Sequence, residues 1–296
     1  NGIPKGELVY FWVRAYNPDS GNWGPYSASR VMGFSSNVTV VYDDDDSADI
    51  AKAEKIKSIL EDESIEALSY VDGNMLTWTV TLLPEDLIPN AYSTANQIYG
   101  DPTIITPGSY FTTSSSYDGR VRNIASTGRG VIGMYTSGGY FLYRVQAMWS
   151  SWGLSGTSPA DIDSGNQMGL GDRYTAVTRP YNISENIWHY PVNHTYFYEN
   201  YRSSYQSTEI FNASIARRGV YRSGGTNPTD GAIYAGDPNY ASHFPVVRQG
   251  RFLMMAFYDV PDSLRNLSIL FNPIRVFPAE AGKIFFINLV ARMDNY

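Results

Sequence analysis

The sequence predicts an α/β fold with a mostly parallel sheet and helices on both faces, and three observations lead there. The β-branched run Asn37 to Tyr42 ("NVTVVY") is followed, after four aspartates, by a helical pattern. Two later apolar runs, in "DPTIITPGSYF" (101–111) and "RGVIGMYTSGGYFL" (129–142), end in glycine turns, and the second resumes as a helix. An apolar-faced segment, "AGKIFFINLVARM" (281–293), closes the chain. Strands alternating with helices need crossover connections, which make neighbouring strands parallel and place helices over the sheet.

In chain order, residues 1–35 come first and read as a β-hairpin. Val9, Phe11, Val13 and Ala15 share one alternating face, and Asn17 to Gly21 supply turn residues before a second extended run. From Ser36 the pattern changes. After the strand and Asp43–Asp46, the segment "SADIAKAEKIKSILED" sets Ile50, Ala53, Ile56 or Lys57, and Leu60 at helical spacing, with acids early and lysines later, as the helix dipole favours. Asp46 or Ser47 is the expected cap. "MLTWTVTLLP" (75–84) is a second strand, "DPTIITPGSYF" a third, and "RGVIGM" a fourth leading into a helix. Between about 150 and 245, Gly, Ser, Asn and Tyr dominate, and a loop-rich insertion is expected there. "RFLMMAFYDV" (251–260) is a buried strand.

The 296 residues, 43% hydrophobic and 17% charged, suit a folded chain with a sizeable core. A net charge of -7 with no Lys/Arg cluster argues against nucleic acid and anionic membrane surfaces as partners. No apolar run reaches the roughly 20 residues a membrane span needs. The absence of cysteine removes disulfides, thiolate metal sites and a cysteine nucleophile. The chain opens at Asn1 without methionine, which suggests processing or a longer parent. Five Asn-X-Ser/Thr triplets, at Asn37, Asn182, Asn193, Asn212 and Asn266, are candidate glycan acceptors. With 24 tyrosines and few lysines, they point to an extracellular or cell-surface protein.

Phe11-Trp-Val-Arg-Ala-Tyr-Asn17 and Gly24-Pro-Tyr-Ser27 resemble the last two strands of a fibronectin type III domain. From residue 36 onward four pieces in order resemble the class I glutamine amidotransferase-like fold, a flavodoxin-like three-layer sandwich. They are "VTVVYDDDD", "PTIITPGSYF", "GRGVIGMYTSGGYFL" and "GRFLMMAFYDVPD". The resemblance implies a nucleophile elbow at the third piece, where active members carry G-x-C-x-G, and a histidine and an acid at the fourth. This chain departs from both. Counting forward from Gly133 puts Tyr135 at the nucleophile position; counting back from Leu142 puts Ser137 there. Tyr258 stands at the place of the histidine, and a phenol with a pKa near 10 is a poor base at neutral pH.

One catalytic alternative is a serine peptidase or amidase of the dipeptidase E type, with Ser137 as nucleophile and His189, His194 or His243 as base. The Asp43, Asp44, Asp45, Asp46 run offers oxygen ligands for Ca²⁺ but lacks the spaced D-x-D-x-D-G pattern, so no cofactor is expected beyond that candidate. The aromatic-rich stretch from Glu185 to Tyr205 offers contact area for a protein or sugar surface, or simply pins loops onto the core. The resulting expectation is a non-catalytic structural or interaction domain of a larger surface protein, self-associating or binding protein partners.

Overall fold

The computed structural model describes residues 9–11, 14–18, 20, 22–26, 30–32, 36–61, 78–109, 111, 114–162, 173–180, 187, 211–217, 220–221, 227–236, 243–244, 246–256 and 279–293. The first four strands are β1 (Val9–Phe11), β2 (Arg14–Asn17), β3 (Asn22–Tyr26) and β4 (Arg30–Met32). β1 pairs antiparallel with β4 and β2 with β3, each pair as its own two-stranded sheet. Asn17 starts the turn, its side-chain carbonyl accepting the Ser20 amide at 3.3 Å. Tyr16 and Trp23 face each other across β2 and β3, ring centroids 4.7 Å apart, and both are about half exposed.

The rest of the described chain forms β5 (Ser36–Tyr42), α1 (Ser47–Glu61), β6 (Trp78–Pro84), β7 (Thr103–Ile105), α2 (Asp118–Ala125), β8 (Val131–Met134) and α3 (Tyr135–Trp152). There follow β9 (Arg173–Pro180), β10 (Phe211–Arg217), β11 (Val220–Tyr221), β12 (Gly231–Gly236), β13 (His243–Phe244), β14 (Val246–Gln249), β15 (Phe252–Met255) and α4 (Ala279–Met293). Nine strands make one sheet in the order β10-β9-β12-β14-β15-β8-β7-β5-β6. The five from β15 to β6 are mutually parallel. From β15 outward through β14, β12 and β9 to β10 the pairing is antiparallel. The expectation of a parallel sheet therefore describes the half that carries the helices. The stretch expected to be loop-rich supplies β9, β10 and β12 to the other half.

Adjacent residues in the parallel strands turn to opposite faces. Val40, Ile104, Ile132 and Leu253 pack with Ala53, Ile56 and Leu60 of α1 and with Phe286, Leu289 and Val290 of α4. Val41, Ile105, Val131 and Met254 pack with Val121 and Ile124 of α2 and with Phe141, Leu142 and Val145 of α3. Burial on both faces is why these strands read as continuous apolar runs. Each of these Val, Leu, Ile, Met and Phe side chains stabilises the fold by about 1.5–3 kcal/mol before entropic costs. The result is an α/β sandwich with helices above and below the sheet. Among the described residues, no helix is long and apolar enough to cross a membrane.

Local chemistry fixes the helix ends. Asp46 caps α1, its carboxylate accepting the Ala48 amide at 2.9 Å. α3 stops at Gly153, whose φ of 65° suits glycine, and Leu154 then donates back to the Trp149 carbonyl at 3.2 Å.

Candidate functional site

In an open α/β sheet, ligands sit at the carboxyl ends of the strands where the strand order reverses. Here the chain runs from β5 outward to β6 and then returns to β7 on the other side of β5. The reversal lies between β5 and β7. The segments that converge there are 43–46 after β5, 106–109 after β7, and the first turn of α3 after β8.

β8 passes into α3 without a loop. Tyr135, the first helical residue, takes a φ of 49°, a left-handed conformation uncommon outside glycine. So sharp a turn requires close approach of backbone on its two sides. A Cβ on Gly138 would lie 2.2 Å from the Gly133 carbonyl carbon, so only glycine fits there. The turn is elbow-like, and its left-handed residue is Tyr135. Tyr135 is buried.

Ser137 lies two residues further into the helix. It is 7% exposed, and its hydroxyl donates to the Pro107 carbonyl at 2.7 Å. That bond ties α3 to the loop after β7. His189, His194 and Tyr258 lie outside the described residues. His243 lies in β13, paired in register with Tyr221. The structure therefore brings Tyr135 and Ser137 to the carboxyl edge of the parallel strands, and it gives the Ser137 hydroxyl a carbonyl acceptor.

The four consecutive aspartates are divided among local tasks. Asp43 accepts the Asp45 amide at 3.0 Å and Asp46 caps α1, while Asp44 and Asp45 are exposed. Among the described residues, no group of three or more His, Asp or Glu side chains could hold a metal ion. Asp44, Glu54 and Asp86 add to the effect of burial in pushing the Tyr42 phenol above its usual value.

The residue that organises the crevice is Asp49, which the sequence pattern did not single out. Its side chain is fully buried. One carboxylate oxygen accepts the Gly108 amide at 2.8 Å; the other accepts the Asp43 amide at 3.0 Å and contacts the Thr106 hydroxyl. Burial pushes its pKa above the ordinary aspartate value, opposed by these hydrogen bonds and by Lys52. Gly108 presses so closely that a Cβ there would lie 2.4 Å from the Asp49 carboxyl carbon. The Thr106 amide and the Ser109 hydroxyl both donate to the Val41 carbonyl, at 3.1 and 3.0 Å, closing the end of β5. An aspartate three residues into a helix normally reads as a dipole partner in solvent, so only the long-range pairing with residues 106 and 108 reveals its role.

Among the sequons, Asn37 is exposed in β5, with its carbonyl accepting the Asp101 amide at 2.7 Å, and Asn212 lies in β10. Asn182, Asn193 and Asn266 lie outside the described residues. The chain matches no protein-family model and no curated protein sequence. What the fold offers is the order β6-β5-β7-β8-β15, equivalent to the 2-1-3-4-5 arrangement of flavodoxin-like sheets.

Proposed function

We propose that this chain is a non-catalytic structural or interaction domain of a secreted or cell-surface protein, built on a glutamine amidotransferase-like sandwich that follows a fibronectin-type hairpin. The observation that carries the reading is the elbow. The position where such folds hold a nucleophile is a buried tyrosine, and the nearest hydroxyl, on Ser137, donates to the Pro107 carbonyl. Such folds activate the nucleophile through a neighbouring base, whereas here the turn residue is a phenol and the Ser137 hydroxyl proton is engaged by a backbone carbonyl.

The flavodoxin-like strand order and the antiparallel hairpin support the two resemblances at the level of architecture. The surface location is a reading of composition, supported by the sequons, the tyrosine content and the few lysines. The role in assembly fits the half-exposed Tyr16–Trp23 pair, since Tyr and Trp give large contact area at low entropic cost. Sedimentation velocity over a concentration series tests it. Self-association, weakened by Trp23→Ser, supports the assembly role; a monomer at every concentration that binds no surface component removes it.

A further inference from the structure

The crevice between β5 and β7 contains donors of the kind that receive an anion, and Asp49 fills it. The Gly108 amide, the Asp43 amide and the Thr106 hydroxyl converge on one carboxylate, from the β7 loop and from the β5–α1 loop. They sit beside the start of α1, where the helix dipole adds positive potential. Backbone amides aimed at a carboxylate are how a fold cradles an external anion. Here the anion is covalently part of α1. We infer that the switch-point crevice is a carboxylate-receiving site occupied by the chain's own Asp49, an internal ligand that keeps external anions out.

This inference is independent of the assembly role, because it concerns only what the crevice accepts. The fit is close on every described side. Gly108 leaves no space for even a methyl group beside the carboxyl carbon, and the loop is held from behind by the Ser137–Pro107 bond. Removing the Asp49 carboxylate leaves a gap matched in size and in donors by formate.

The test is chemical rescue of the intact chain. Asp49→Ala should melt well below the parent and regain a substantial part of that loss in tens of millimolar sodium formate, with no gain from sodium chloride at equal ionic strength. The parent should be indifferent to formate. Adding Thr106→Val to Asp49→Ala should weaken the rescue several-fold. Equal responses of parent and Asp49→Ala to formate, or equal effects of formate and chloride, would overturn the inference.

Should Asp49→Ala not fold, the near-isosteric Asp49→Asn gives a second reading, since its amide cannot accept at every position the carboxylate does. Amide exchange at Asp43 and Gly108 should then accelerate at least tenfold relative to the Val40 and Ile104 core. Unchanged exchange at both amides would show that the carboxylate is not what holds these donors.

Discussion

The hydroxyl of Ser137 lies 2.7 Å from the carbonyl of Pro107, so the first turn of α3 is stitched to the loop after β7. Ser137 is the only serine within the elbow stretch, and the contact gives it a structural task. Ser137→Ala should therefore lower stability by about 1–3 kcal/mol, the cost of stranding a buried acceptor. Urea titration measures it. Unchanged stability would mean that the bond does not hold the loop.

Tyr135 gives a sharper test of the backbone. At an ordinary helical position alanine is favoured over glycine by roughly 1 kcal/mol. At a φ of 49° the order should reverse, since a left-handed conformation costs an L-residue about 1–2 kcal/mol and glycine nothing. Tyr135→Gly should thus be the more stable of the two truncations, each being less stable than the parent through lost burial. Paired thermal melts of the two variants decide it.

Much of this architecture was legible in the sequence. Val38 to Val41, Ile104–Ile105 and Val131–Ile132 are buried on both faces, so local composition alone marks them as strands, and the aspartate run and Pro107-Gly108 mark the ends of the first two. β9, β10 and β12 were not legible. Their formation depends on antiparallel partners far away in the chain, Phe211 opposite Thr178 and Gly231 opposite Gln249, and nothing local signals such pairing. The glycine-rich turn was visible, but which of its residues takes the left-handed backbone, Tyr135, was not. Asp49 was hidden for a different reason. Its spacing fits a solvated first helical turn, and the donors that bury it come from residues 106 and 108, some sixty positions on.

Gly138 meets Gly133 across the elbow with no space for a side chain. Gly138→Ala must push the helix away from β8, and overpacking of this kind costs about 1–3 kcal/mol or more. A drop in melting temperature at least as large as that of Ser137→Ala is expected. An unaffected melt would show that the elbow has slack.

The end of α1 guards the edge of the sheet. Glu61 accepts the Val80 amide of the edge strand β6 at 2.8 Å. Glu61→Ala should cost about 1 kcal/mol, while Glu61→Gln, which keeps an acceptor oxygen, should retain most of the stability. Equal losses in the two variants would point to the charge, not the hydrogen bond.

Stability should also carry a pH signature from Asp49. Its pKa is raised in the fold, chiefly by burial, so the folded state holds the proton more tightly than the unfolded one. That contribution is fully present below the unfolded value of about 4 and fades as pH rises through the higher folded value. Lys52 on the same helix opposes the shift; from the β7 loop the facing groups are Thr106, Gly108 and Ser109, none of them charged. The stability of the parent relative to Asp49→Asn should therefore decline as pH is raised from about 4. A difference that stays flat or rises with pH would contradict the assignment.

If the elbow-like turn holds no working nucleophile, as proposed, covalent labelling of the chain should fail. Intact-mass spectrometry of the full chain after exposure to a fluorophosphonate at neutral pH should show no adduct, under conditions where a serine hydrolase control is fully labelled. A stoichiometric adduct mapped to Ser137 and abolished by Ser137→Ala would make the protein a serine hydrolase instead.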